Sequence, residues 1–165
     1  MGKVAIVTDS TAFLEPGVAE ELDITVVPLS VHIGDETLRD GIDITPEAFF
    51  QRLERGGPIP RTSPPAVQTF ERLYAELHTR TDQILSIHLS SQLSQTLRQA
   101  QRGAESLLGR CEIAVVDSLT TSLGLGILAT AAARAAKEGA NLDEIVRLIR
   151  GMIPHIYIVF YVDEM

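Results

Sequence analysis

The sequence has no tryptophan and a single cysteine, Cys111, and aromatic residues make up only 5% of it. One cysteine excludes an internal disulfide and any multi-cysteine zinc site. Scarce aromatics give no sign of a base-stacking platform or an aromatic sugar site. Lysine occurs only at Lys3 and Lys137, and acidic residues outnumber basic ones 22 to 14, for a net charge of −8. A nucleic-acid partner is not expected, because such proteins carry a basic footprint that this chain lacks. No apolar run approaches the ~20 residues of a membrane helix. The chain opens directly on Val4-Ala5-Ile6-Val7-Thr8-Asp9, too short and too early for a secretory signal. The expected location is cytoplasmic. Gly-x-x-x-x-Gly-Lys-[Ser/Thr] and Gly-x-Ser-x-Gly are both missing.

What is present is ordinary globular material: 165 residues, 45% hydrophobic and 22% charged, enough for one domain with a core. Near-continuous apolar runs at Ala5–Thr8, Thr25–Ser30, Ile84–Leu89, Ile113–Asp117 and Ile156–Val162 predict strands buried on both faces. Helical patterns lie between several of them. Thr45 and Pro46 form a helix start, and Phe49, Phe50 and Leu53 an apolar stripe that Gly56-Gly57 ends. Ala66–Arg80 carries Phe70, Leu73, Tyr74 and Leu77 at helical spacing. Further helices are expected over Leu93–Leu108, Leu123–Glu138 and Leu142–Met152. The alternation predicts an α/β fold: a mostly parallel sheet with helices on both faces. Val31–Leu38 reads as a small hairpin turning at Gly34-Asp35, and Gly56–Pro65 as a loop. An apolar strand at Ile156–Val162 needs pairing, and a homo-oligomer through that strand is one way to supply it.

Ligands of open parallel sheets bind at the carboxyl ends of the strands. Here those ends read Asp9-Ser10-Thr11, Ser90-Ser91-Gln92-Leu93-Ser94 and Asp117-Ser118, with Thr62-Ser63 in the loop before a helix. Any single hydroxyl of this kind is more often a helix cap. Their convergence at one edge, beside helix N-termini, suits an anion such as a carboxylate or phosphate. The four histidines are scattered without paired spacing, so no metal site is indicated. His88, inside a strand, reads as a satisfied core histidine, and Cys111 as a small buried hydrophobe.

The order of these segments resembles the DegV family. Asp9-Ser10-Thr11-Ala12, Thr25-Val26-Val27-Pro28-Leu29-Ser30 and Ile44-Thr45-Pro46-Glu47 are similar to the family's opening. Thr62-Ser63-Pro64-Pro65 resembles its Thr-Ser-x-Pro motif, and Ser90-Ser91-Gln92-Leu93-Ser94-Gln95-Thr96 its Ser-Ser-x-Leu-Ser-Gly-Thr motif. Asp117-Ser118 followed by Ser122-Leu123-Gly124-Leu125-Gly126 completes the series. Gln95 stands in place of the usual Gly, Leu97 of the usual Tyr and Ala66 of a common Ser. Arg61 occupies a position where a small residue is common, and reads as a solvated loop arginine.

The resemblance implies a fatty-acid carrier that catalyses nothing itself, needs no cofactor and presents the carboxylate of a long-chain acid to a partner fatty acid kinase. On that basis Thr62 and Ser91 are the first choices for carboxylate hydrogen bonds. Ser90, Ser94, Ser10 and Ser63 come next. Asp9 is expected to orient neighbouring hydroxyls and amides, since a second bare carboxylate would repel the ligand. Family members carry a second domain of similar size. The implied division is therefore an N-terminal α/β domain over residues 1–155, with 156–165 a strand opening the missing second domain. A nucleotide- or phosphate-binding α/β domain is the alternative, resting on Gly124-Leu125-Gly126, which more readily serves close helix–sheet packing. A truncated fragment that binds nothing is a further one. A serine hydrolase finds no histidine with an evident base role.

Overall fold

The computed structural model describes residues 3–159. Strands β1 (Ala5–Asp9), β2 (Ile24–Val27), β6 (Gln83–His88) and β7 (Glu112–Asp117) form a parallel sheet in the order β2-β1-β6-β7. Side chains alternate across it because strand residues point to opposite faces in turn. Ile6, Leu85 and Ile87 face one core with Leu125, Leu128, Ile145 and Ile149. Those partners come from α5 (Ser122–Lys137) and α6 (Leu142–Met152); Val18 and Leu22 of the short α1 (Val18–Leu22) join them. Val7 and Ile84 face a second core with Phe70, Tyr74, Leu77 and Ala100, from α3 (Val67–His78) and α4 (Thr96–Glu105). The sheet is thus covered on both faces, as the runs of apolar residues required.

Local chemistry sets the element ends. Thr45 accepts a hydrogen bond from the Ala48 amide at 3.3 Å and caps α2 (Pro46–Glu54). Asn141 and Glu144 form a reciprocal capping box at the start of α6. Gly126 meets a different demand: a Cβ there would lie 1.8 Å from the Phe13 carbonyl oxygen. Gly124 likewise packs on Thr120 and Ile156. The glycine pair therefore lets α5 approach loops at the sheet edge, not the sheet itself.

Several expectations need correction. Thr25–Ser30 is not one strand. Pro28 has no N–H to continue the ladder, so β2 stops at Val27 and Ser30 opens β3 (Ser30–Ile33) in another sheet. That second sheet is antiparallel, ordered β4-β3-β5, with β4 at Glu36–Arg39. The hairpin between β3 and β4 turns at Gly34, whose φ of 59° suits glycine. The Gly56–Pro65 loop contains a strand after all, β5 (Arg61–Ser63), paired with β3 so that Thr62 faces Val31. The helix expected from Leu93 begins at Thr96, because Ser90–Ser94 is spent in a turn closed on the Ser90 carbonyl. Cys111 is half-buried at the margin of the second core, where burial and the nearby carboxylates of Asp82 and Glu112 push its thiol pKa up. Of the strand expected at Ile156–Val162, residues 156–159 are irregular and 160–162 lie outside the described residues.

Candidate functional site

The carboxyl ends of β1, β6 and β7 open at one edge of the parallel sheet. Asp9 closes β1 and is fully buried. Its Oδ1 accepts from the Thr11 amide at 3.1 Å and the Thr11 hydroxyl at 2.6 Å. Its Oδ2 accepts from His88 Nδ1 at 2.9 Å and the Leu89 amide at 3.0 Å. Burial pushes the Asp9 pKa up, but the hydrogen bonds from His88, Thr11 and the Leu89 amide together hold it below its ordinary value. Asp9 is therefore a carboxylate whose lone pairs are occupied, in keeping with an orienting role.

The expected hydroxyls divide into two groups. Ser10 Oγ accepts the Leu29 amide at 3.0 Å, tying β1 to the start of the second sheet. Ser90 Oγ accepts the Gln92 amide at 3.3 Å, and the Ser90 amide reaches the Thr120 carbonyl at 2.8 Å. Ser94 Oγ accepts the Thr96 amide at 3.2 Å and lies 2.9 Å from the Thr96 hydroxyl, fixing the entry to α4. Ser63 Oγ is engaged by His32 Nε2 at 2.8 Å. Each of these hydroxyls has a local structural job. Ser91 and Thr62 are different: both are exposed, and neither side chain has a hydrogen-bond partner among the described residues. The Ser91 amide is held by the Asp117 carboxylate at 3.2 Å, which fixes the backbone and leaves the hydroxyl outward.

Ser10 and Ser63 converge through the second sheet. Ser63 pairs with Ser30, one residue past the Leu29 amide that Ser10 holds. Ser90, Ser91 and Ser94 share the turn between β6 and α4. A cleft of about 200 Å³ adjoins that turn, lined by Ser90, Gln92, Leu93, Thr120, Ile156 and Ile158, among others. Sites that enclose a drug-sized ligand run to ~300–1,000 Å³. The cleft falls below that range. Apolar side chains stand open in its lining, Leu93 and Leu119 each 60% exposed. Arg61 is exposed on β5, as a solvated arginine would be.

Beneath the rim lies an arrangement that sequence reasoning did not find. Tyr74 Oη donates to Ser86 Oγ at 2.8 Å, and Ser86 Oγ lies 2.8 Å from His88 Nε2, which places His88 between Ser86 and Asp9. The order Ser–His–Asp is that of a hydrolase triad. Ser86, His88, Asp9 and Tyr74 are all 0% exposed, however, so no substrate reaches the serine. Burial also pushes the Tyr74 pKa up, and the Ser86 contact only partly offsets it. The signal for this row was legible: Ser86 and His88 share the face of Ile84 by strand alternation, and Tyr74 follows Phe70 by one helical turn. The satisfied core histidine is thus observed, with more partners than expected. No group of three or more His, Cys, Asp or Glu side chains suited to a metal ion exists among the described residues. Nor is any described helix long and apolar enough to cross a membrane.

Fold and rim together define an α/β domain whose parallel sheet carries the exposed Ser91 at its carboxyl edge, with the exposed Thr62 on the smaller antiparallel sheet. A family profile described as an uncharacterised protein of the DegV family matches residues 3–165. The DegV domain-containing protein YejH of Lactococcus lactis is 41% identical over 147 residues, covering 89% of this chain and 52% of that protein. DegV of Bacillus subtilis, described as a fatty acid binding protein, superposes with a TM-score of 0.87 at 31% identity, over 93% of this chain and 55% of that one. A fatty-acid-binding DegV-family protein of Thermus thermophilus superposes with a TM-score of 0.85 at 33% identity, over 92% of this chain and 54% of that one. The chain belongs to the DegV family. It spans about half the length of the relatives it matches.

Proposed function

We propose that this chain forms one wall of a long-chain fatty-acid carrier, with the ligand carboxylate received at the hydroxyl rim. The superposition on two fatty-acid-binding proteins over more than nine-tenths of the chain carries this reading. The rim is chemically suited to it. Thr62 and Ser91 have hydroxyls without other partners, and Ser10 and Ser90, having accepted a backbone N–H each, keep a hydrogen to donate. Ser94 and Ser63 serve as supports. In this reading residues 1–155 are the first domain of a two-domain carrier, and the chain from 156 onward leads to the second, which supplies the opposite wall.

Energetics divide the labour. A tail of about 14 methylenes is worth up to ~11 kcal/mol if fully buried, at ~0.8 kcal/mol each. Hydrogen bonds to the charged head contribute ~1.5–3 kcal/mol apiece. The tail sets affinity and the hydroxyls set orientation. A head group held near solvent is presentable to a second protein, and a kinase that phosphorylates the carboxylate is the partner proposed. The carrier itself performs no chemistry, and its place is the cytoplasm. Denaturing mass spectrometry of the purified protein tests the reading. A long-chain fatty acid at stoichiometric amount, or taken up on incubation with palmitate, is expected. Absence of any acid from both preparations would overturn it.

A further inference from the structure

Four buried polar side chains lie in a row under the rim, and none of them is reached by a ligand. Counting hydrogens gives the row a direction. Tyr74 Oη is fully buried and its one described partner is Ser86, so its hydrogen must go there. Ser86, having accepted, donates to His88 Nε2. His88 then carries its hydrogen on Nδ1 and donates to Asp9 Oδ2. The reverse direction would leave the Tyr74 hydrogen buried and unpaired. The imidazole plane is fixed by Phe70, whose ring meets it edge-on at 82° with centroids 5.2 Å apart.

Asp9 is where the row ends and the rim begins. Its two oxygens collect four donors, which is about all a carboxylate can accept. Two come from Thr11, next to Ser10, and one from the amide of Leu89, next to Ser90. We propose that the Tyr74–Ser86–His88–Asp9 row is a positioning device: it sets the rotation of the Asp9 carboxylate, and that carboxylate holds the two serine-bearing loops in one register for the ligand head group. Tyr74, Ser86, His88 and Asp9 are positioning residues in this scheme, and none touches the ligand. The proposal rests on the reading that the rim receives a carboxylate.

The two His88 variants that separate positioning from simple support are His88→Asn and His88→Leu. Both lose the Ser86 contact. Only asparagine keeps an N–H near the position of Nδ1, within reach of Asp9. Palmitic acid and 1-hexadecanol, matched in length, are the probes, since only the acid needs the head-group geometry. The wild type and His88→Asn are expected to bind the acid more tightly than the alcohol by about tenfold, the worth of one charged hydrogen bond. His88→Leu is expected to bind both equally, with its alcohol affinity unchanged. A merely supporting histidine would weaken both probes alike in both variants, and that result would overturn the proposal. Amide hydrogen exchange at Thr11 and Leu89 is read without any ligand, and should quicken in His88→Leu alone. If the wild type binds neither probe, the carrier reading fails, while unchanged exchange in His88→Leu would separately overturn the positioning device. Should His88→Leu not fold, His88→Gln, whose amide reaches Ser86 in place of Nε2 and leaves Asp9 without its donor, takes its place in the exchange comparison, where unchanged protection again overturns the proposal.

Discussion

The two sheets of this domain are built on opposite terms. At the end of the parallel sheet, Asp9, Ser86, His88 and Tyr74 are all fully enclosed and mutually bonded. Around the small antiparallel sheet, α2 has no buried residue, and Phe50, Leu53 and Ile59 stand 61%, 43% and 86% exposed. Its ion pairs, Arg39 with Asp43 and Arg52 with Glu36, lie in solvent. Such pairs stabilise little because water and salt screen them. Ser91 thus stands on a platform locked from below, and Thr62 on one held by few buried contacts. Free energy of local opening differs across a structure in this way, and binding elements tend to come from the less stable part.

The largest effect should come from emptying the locked side. Asp9→Ala leaves the His88 and Leu89 donors buried and unpaired, at ~1–3 kcal/mol for each, so a loss of ~3 kcal/mol or more in urea unfolding is expected. Next is Gly126→Ala, whose new methyl would meet the Phe13 carbonyl. Overpacking of this kind costs ~1–3 kcal/mol, read as a lower thermal midpoint. Tyr74→Phe removes one hydrogen bond at the far end of the row and should cost ~1 kcal/mol by the same urea assay. Phe50→Ser, on the open side, should change stability by less than ~0.5 kcal/mol. An equal loss from Phe50→Ser and Asp9→Ala would erase the contrast between the sheets.

Acid sharpens the same contrast. The folded Asp9 pKa lies below its ordinary 3.8. A carboxylate shifted in this direction stabilises the fold fully above its unfolded value, and that contribution is lost as pH falls through the folded one. Stability of the wild type should therefore decline from about pH 4 downward, and Asp9→Asn should show a shallower decline. Asp43, whose pKa Arg39 lowers to about 2, is exposed and adds little to this slope.

The parallel sheet and its helices were legible because long apolar runs and helical stripes leave few alternatives. Edges were harder. Nothing in Thr25–Ser30 but Pro28 marks the break, and a single proline is weak evidence until the second sheet is seen. The β5 strand has only three residues, Arg61–Ser63, with Pro60 before it and Pro64 after it, so composition alone reads as loop. At the rim, sequence named the hydroxyls without separating structural from free ones. That distinction depends on which backbone amides arrive nearby, as Leu29 does at Ser10 and Gln92 at Ser90. The buried row was missed for the same reason. Ser86 and His88 share a face of β6, but Asp9 lies 79 residues from His88, and only the pairing of β1 with β6 and the packing of α3 on β6 complete the row.

The central proposal is that Ser91 and Thr62, both exposed and without a side-chain hydrogen-bond partner among the described residues, meet over one carboxylate. A crystal structure of the protein soaked with palmitic acid tests it most directly. The account expects the acid's oxygens within hydrogen-bonding distance of both side chains, with the tail leaving along Leu93 and Leu119. A head group bound elsewhere, or a saturated crystal with the rim empty, would contradict it.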